Sequence, residues 1–353
     1  MPEFDYISYK TRLHTALENA HALFFDTNTG YLRDEFACKL QACPACNGRG
    51  LCLFMKKDGF LFDQCSTCGM VFLNPRLTDA ATYAFYESEW INIYNETKFH
   101  GSSGAIERDR LENRYLLGIL GDRNSLVGKQ FLEVGPGGEG TLLHEASLLG
   151  CSVTGLELSS DNFASLTKRF GNSATLLNTT LEKAGLSDCF YDYVVMRDVL
   201  EHIPNPVDFL RELARILKPG GSLLIQVPNI EGLIYKFSGS RHTVVFGFEH
   251  PNYWSPRSLD VALQRAGFSV QLVEHESIDF TLRDICEYLW GESSFTTVFP
   301  RDRSFFTRLA YRIGARLNAN RYIAKIGNSL FPLIADKMLK KGSVIKVLSR
   351  KEG

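Results

Sequence analysis

No run in this 353-residue chain approaches the roughly 18 uninterrupted apolar residues that a membrane-spanning helix needs, so no transmembrane helix is expected. The first residues, Met1-Pro2-Glu3-Phe4-Asp5, lack a basic stretch followed by an apolar core, and no secretory signal is expected. There are no internal repeats and no low-complexity tracts. Net charge is only −1, so no global field points to nucleic acid, and DNA is not an expected partner. The nine cysteines are an odd number, and five of them (Cys38, Cys52, Cys151, Cys189, Cys286) follow no pattern. That argues for a reduced, cytoplasmic setting in which most of these five are buried small apolar residues.

The charge is small but uneven. From Arg301 onward there are 13 Lys plus Arg against 3 acids, a net of +10, which leaves −11 for the rest. Arg308, Arg312 and Arg316 repeat every four residues and so share one face of a helix. Phe305, Phe306, Leu309, Ile313 and Leu317 supply apolar neighbours. Such a helix can cap the core with a solvated basic face, lie peripherally on an anionic membrane, or bind a diphosphate.

What the chain does have is concentrated at Phe131-Leu132-Glu133-Val134-Gly135-Pro136-Gly137-Gly138-Glu139-Gly140. An apolar run ends in an acid, breaks into a glycine-dense turn, and is followed by a helical start at Thr141. Strand, glycine turn and helix form the first half of a nucleotide-cofactor fold. Cys151 to Glu157 reads as the next strand, with Glu157 24 residues after Glu133. A carboxylate there can accept hydrogen bonds from ribose hydroxyls. Glu133 is poorly placed for a pyrophosphate and better suited to a cationic sulfonium and amino group.

Two further segments follow, Tyr191-Asp192-Tyr193-Val194-Val195-Met196-Arg197-Asp198-Val199-Leu200-Glu201-His202-Ile203-Pro204 and Leu217-Lys218-Pro219-Gly220-Gly221. With these, residues 126–276 resemble the class I S-adenosylmethionine-dependent methyltransferases. The resemblance implies an α/β fold, a Rossmann-like seven-stranded sheet. It assigns cofactor binding to Glu133, Gly135, Gly137, Gly138, Gly140, Glu157, Leu158, Thr180, Leu181, Arg197 and Asp198. The family's turn is commonly G-x-G-x-G. Here Glu139 takes the third glycine's place and Gly140 follows, which implies a slightly longer loop. A hydroxyl, Thr180, replaces the acid usual near the adenine.

Cys43-x-x-Cys46 and Cys65-x-x-Cys68 are separated by eighteen residues. That spacing suits a four-thiolate zinc ribbon, and four thiolates leave the ion no open position, so the zinc is expected to be structural. Asn47-Gly48 and Gly69 follow the pairs and tolerate left-handed backbone. The residues from Leu51 to Phe62 read as a hairpin around Lys56-Lys57-Asp58-Gly59. A ribbon ahead of the methyltransferase core resembles bacterial zinc-ribbon methyltransferases of sugars and surface-glycan precursors. The expected order is an N-terminal helix over 1–35, the ribbon over 36–80, and a helical cover of the acceptor site over 81–125. The core follows over 126–280, a helical basic insertion over 281–341, and the last core strand over 342–353.

Methyl transfer aligns an acceptor with a sulfonium and needs a base when the acceptor is a hydroxyl or carbon acid. Candidate groups stand after the fourth strand (Asp198, Glu201, His202), after the fifth (Gln226, Asn229) and in the loop 231–255, which is too long for a mere connector. By resemblance to the sugar C-methyltransferases, His250 is the leading base and Glu249 the partner that fixes its tautomer. His202 is the second candidate, and Tyr86 and Tyr94 could face the acceptor. The tyrosine that precedes this Glu-His pair in the family is absent, with Gly247 and Phe248 in its place. The leading reading is a methyltransferase of a small-molecule acceptor, a sugar or glycan precursor, by O- or C-methylation. The alternatives are an RNA methyltransferase that grips substrate with the ribbon, and a non-catalytic cofactor-binding scaffold. Against RNA, strand four lacks a proline-proline-aromatic signature, and the ribbon has little excess positive charge.

Overall fold

A computed structural model describes residues 6–98, 103–239, 244–277 and 333–352. The chain opens with helix α1 (Tyr6–Phe24), whose Leu13, Leu17, Ala20 and Phe24 form one buried stripe at three- and four-residue spacing. Short strands follow: β1 (Ala37–Cys38), β2 (Leu51–Lys57), β3 (Phe60–Cys65), β4 (Val71–Leu73) and β5 (Arg76–Leu77). Asp58 and Gly59 turn β2 into β3 with φ of 49° and 80°. Next come α2 (Asp79–Tyr86), α3 (Glu89–Lys98), α4 (Ser103–Leu120) and α5 (Arg123–Leu126).

The second half alternates strand and helix: β6 (Gln130–Val134), α6 (Thr141–Leu148), β7 (Ser152–Leu156), α7 (Ser160–Phe170), β8 (Thr175–Leu177), β9 (Tyr191–Arg197), α8 (Pro206–Ile216) and β10 (Leu217–Pro228). It continues through α9 (Leu233–Ser238), β11 (Asn252–Tyr253), α10 (Pro256–Arg265), β12 (Phe268–Glu276) and β13 (Val344–Lys351). Local chemistry sets the helix starts. Pro206 and Pro256 occupy first turns, where a missing N–H costs nothing. Ser255 and Ser258 close a capping box at α10. Gly267, at φ 86°, turns the chain from α10 into β12.

The main sheet has seven strands in the order β12-β13-β10-β9-β6-β7-β8. The pairings among β10, β9, β6, β7 and β8 are parallel, while β13 runs antiparallel between β10 and β12. The chain begins the sheet at β6, builds outward through β7 and β8, then returns to lay β9 on the other side of β6. That reversal opens a crevice at the carboxyl ends of β6 and β9, where this architecture binds ligands. Helix α8 buries Val207, Leu210 and Leu213 on one face of the sheet, and Leu142, Leu143 and Ala146 of α6 cover the other.

A second sheet, β11-β4-β3-β2, crosses the boundaries drawn from sequence. Its strand β11 comes from the long loop and pairs with β4 of the ribbon, Asn252 opposite Phe72 and Tyr253 opposite Val71. Asn229 bridges to Trp254, so this sheet meets the end of β10. Helix α1, the ribbon strands, α2, α3 and the loop residues Val245, Phe246 and Phe248 share one core. The ribbon and the long loop are therefore not separate bodies.

The scattered cysteines depart from expectation. Among its described members only Cys151 is buried; Cys38 is half-buried, and Cys52 and Cys189 are exposed. Cys52 lies in an exposed run, Cys52 to Phe54, on β2 at the edge of the ribbon sheet. Cys286 and the basic helix carrying Arg308, Arg312 and Arg316 lie outside the described residues. Of the predicted insertion, the single π turn Leu333–Met338 falls within them. Among the described residues no helix is long and apolar enough to cross a membrane.

Candidate functional site

The glycine turn leaves β6 with three left-handed residues, Gly135 (φ 71°), Gly137 (64°) and Gly140 (51°). A side chain at Gly135 would come within 2.8 Å of Val199, and one at Gly140 within 2.5 Å of Leu166. These two glycines serve packing. Gly137 differs, because a Cβ there would meet nothing within 4 Å. Its backbone borders open space, as a turn that receives a ligand should. A Cβ on Gly138 would stand 3.0 Å from the Asn162 side chain.

Glu157, just past β7, stretches its carboxylate across this turn. Oε2 accepts from the N–H of Gly137 at 3.0 Å and Oε1 from that of Ser159 at 2.8 Å. Each oxygen retains a second lone pair for a hydroxyl donor. Asn178 donates to the carbonyls of Glu157 and Leu158 at 2.8 and 3.0 Å, tying the end of β8 to that of β7. The Leu158 side chain is 69 % exposed, while Leu181 is buried under the single turn Leu181–Lys183, preceded by Thr180. These residues line up along the carboxyl ends of β7 and β8, as an adenosine would require.

At the end of β6 the buried Glu133 faces Arg197 from the end of β9, with Nη2 3.9 Å from Oε1. Its Oε2 has no hydrogen-bond partner, and neither has Nε of Arg197. Burial pushes the Glu133 carboxyl up to about 7 against the pull of Arg197. Sequence reasoning missed a third member. Asp109 of α4 accepts from Arg197 Nη1 at 3.3 Å and from the Thr141 hydroxyl. Asn113 donates to that same hydroxyl at 2.9 Å. No motif marks Asp109, because its helix packs across the sheet from a region with no spacing signal. Two orphaned polar atoms beside a carboxylate and a guanidinium suit an amino-acid moiety that carries both charges.

Beyond Arg197 the chain turns at Asp198 (φ 53°) into the single helical turn Leu200–His202. Asp198 is reachable by solvent yet hemmed in by protein, and burial raises its carboxyl to about 6. Glu201 is 2 % exposed, its Oε2 lacks a partner, and burial raises it well above the usual carboxylate range. His202 Nδ1 lies 3.0 Å from the carbonyl of Glu249 and 3.2 Å from the hydroxyl of Tyr86. A carbonyl can only accept, so this nitrogen carries the proton.

His250 lies against His202, ring centroids 4.6 Å apart at 74°. Its Nδ1 donates to the carbonyl of Val244 at 2.8 Å, and burial lowers the ring to about 4. A backbone carbonyl, rather than the expected Glu249 carboxylate, therefore fixes the tautomer, and Nε2 is the basic nitrogen. Glu201, Asn229, Tyr253 and His250 line a recess of about 20 Å³, room for about one water. The Tyr253 hydroxyl has no partner either.

Packing holds the loop. Phe248 stacks on Phe85 (4.5 Å, 10°) and meets Phe60 edge-on (5.0 Å, 88°). A side chain on Gly247 would strike the Phe60 ring at 2.5 Å. Phe248 is thus an aromatic anchor. The side chain of Tyr94 lies outside the described residues.

The four patterned cysteines converge. Sγ of Cys43 is 3.6 Å from that of Cys68, and Cys46 is 3.4 Å from Cys65. The hydrogen bond from Cys43 lowers Cys68 to about 5 and raises Cys43. Asn47 (φ 62°) and Gly69 (φ 79°) curl the two knuckles. Crowded sulfurs from two tight turns match the donor set of a tetrahedral thiolate site.

Residues 110–273 match a family model described as a methyltransferase domain. A ubiquinone biosynthesis O-methyltransferase from Vibrio cholerae is 32% identical over 124 residues, 34% of this chain and 50% of the relative. The enzyme of that description from Marinobacter nauticus is 28% identical over 172 residues, 45% of this chain and 71% of its own length. The chain spans about half the length of the Vibrio relative it matches. A solved S-adenosylmethionine-dependent methyltransferase from Mesorhizobium loti is 17% identical with a TM-score of 0.43, over 67% of this chain and 96% of that one.

Proposed function

We propose that the chain, whose residues 110–273 match a model of a methyltransferase domain, moves a methyl group from S-adenosylmethionine onto a small-molecule acceptor, a sugar or surface-glycan precursor. One observation carries this reading. The open left-handed turn at Gly137 is tied by its N–H to the Glu157 carboxylate, and the turn carrying His202, packed on His250, follows β9, the strand that pairs with β6. The relatives named as O-methyltransferases favour a hydroxyl as the acceptor group.

Bound S-adenosylmethionine supplies an electrophilic methyl on a sulfonium. Glu157 would accept from its ribose hydroxyls, and Leu158, Thr180 and Leu181 would border the adenine. Glu133, Asp109 and Arg197 would meet the charged amino-acid end, with Asp198 beside them. His250 would receive the acceptor's proton on Nε2, and Glu249 and His202 would hold the loop in place. Cys43, Cys46, Cys65 and Cys68 would hold a structural zinc ion. The reaction belongs to the cytoplasm on this reading, without RNA as substrate.

The test is mass spectrometry of cellular nucleotide-sugars and glycans with and without the gene. An acceptor heavier by one methylene only when the gene is present supports the reading. Unchanged pools, together with a methylated RNA that disappears on deletion, would overturn it.

A further inference from the structure

We infer that Glu201 is the carboxylate that balances the charge of His250 when its ring takes up a proton, the part sequence reasoning gave to Glu249. The inference rests on His250 being the proton acceptor. Its ground is a relation between groups 49 positions apart in sequence. One carboxylate oxygen of Glu201 and one ring nitrogen each of His202 and His250 lie within 4.8 Å of one another. Glu201 is almost completely buried, and its Oε2 meets no donor. An orphaned buried carboxyl oxygen is costly unless the group holds a proton or a positive charge comes up to it.

His250 can bring that charge. Its Nδ1–H is committed to Val244, so any further proton goes to Nε2 and makes an imidazolium in a buried place. An imidazolium there needs a counter-charge. The groups facing it can be named by element. From the turn after β9 come Glu201 and the ring of His202; from β11, the phenol of Tyr253; from α9, Tyr235 across the recess. After β10 stands the neutral Asn229, and α2 sends Tyr86 to His202 rather than to His250. Within its own loop, the Glu249 carbonyl accepts from His202, while its carboxylate and that of Asp198 lie near enough to raise the Glu201 carboxyl. Glu201 is the acid that shares both the recess and the short spacing.

At rest the recess is neutral, with the carboxyl protonated and the imidazole uncharged. When the acceptor's proton goes to Nε2, the proton on Glu201 has left to water through the recess, and the pair is again neutral. Glu201 touches neither methyl nor acceptor in this scheme and is a positioning residue.

The test uses the full chain, ¹³Cε1-labelled at histidine and saturated with S-adenosylhomocysteine, titrated with acid and followed by NMR. His250→Gln and His202→Gln assign the two signals. A coupled pair titrates in two macroscopic steps. The wild-type His250 signal should move in two steps, one at its own protonation and one as Glu201 ionises beside it, and E201Q should leave only the first. E249Q should keep both steps. E201D, which retains the carboxylate, should keep both as well, and it serves should the amide variant fail to fold. A single His250 step in wild type, two steps surviving in E201Q, or one step in E201D overturns the inference. If S-adenosylhomocysteine does not bind, it is the methyltransferase reading that falls; if it binds and His250 ignores Glu201, only this inference falls.

Discussion

The Nδ1–H of His202 donates to the carbonyl of Glu249 at 3.0 Å, joining the turn after β9 to a loop 47 residues later. The Asn252 side chain makes a parallel tie to the carbonyl of Ile203 at 2.6 Å. Between these two bonds the rings of His202 and His250 are held at fixed angle and distance. A proton acceptor so held loses little entropy on reaching its geometry.

His250→Ala is expected to lower methyl transfer by about a hundredfold or more, the range of a lost general base, with cofactor affinity nearly unchanged. His202→Ala should cost less turnover, or cost cofactor affinity as well, because it releases the bond to Glu249. Transfer of label from S-adenosylmethionine into extracted acceptor pools measures both. Near-wild-type transfer by His250→Ala would make the loop histidine structural.

Calorimetry should show binding of S-adenosylhomocysteine that is lost in Glu157→Ala and in Gly137→Val. The first removes the acceptor for ribose hydroxyls and the anchor of the turn. The second forces a branched side chain into left-handed backbone, a strain of about 1–2 kcal/mol, and fills the open space beside the turn. Preferential binding of a nicotinamide dinucleotide would refute the cofactor assignment.

Glu133 gives a pH dependence with a definite sign. Its folded carboxyl sits at about 7, above the ordinary value of 4.5. The stability it contributes to the empty protein is present at acid pH and fades as pH rises through about 7. A cationic ligand beside it favours the ionised form, so binding S-adenosylmethionine should release protons, and affinity should rise with pH through that window. Calorimetry in buffers of different ionisation enthalpy should find up to about half a proton released at neutral pH, and none in Glu133→Gln. Proton uptake by the wild type would contradict the assignment.

Metal analysis of reduced, carefully purified protein should find one zinc per chain. Cys43→Ser should lower thermal stability while leaving S-adenosylhomocysteine binding largely intact. Because β4 pairs with β11, amide exchange over residues 244–255 should also quicken. Absence of zinc, or a loop indifferent to the substitution, would count against the ribbon as its support.

Much of this was legible in the sequence because its chemistry is local. The Gly135–Gly140 turn, Glu157 at a strand end and the two C-x2-C knuckles are each written within a few residues. The relations that sequence reading missed are distant ones. Glu249 stands next to His250, so adjacency suggested a pair, yet the loop turns its backbone so that Val244 takes Nδ1 and Glu201 approaches from the turn after β9. Asp109 reaches Arg197 across 88 positions through the packing of α4, and spacing carries no trace of that. The pairing of β11 with β4 was hidden for a simpler reason. A two-residue strand is too short to show alternation.

The seven-stranded sheet closes only when β13, from the far end of the chain, slides between β10 and β12, and the loop bearing His250 is braced by strands from the near end. The segment matched by the family, residues 110–273, contains neither brace. A fragment cut to those limits would expose one edge of β10 and leave β11 without a neighbour, inviting intermolecular strand pairing. Any shortened version should therefore keep both ends.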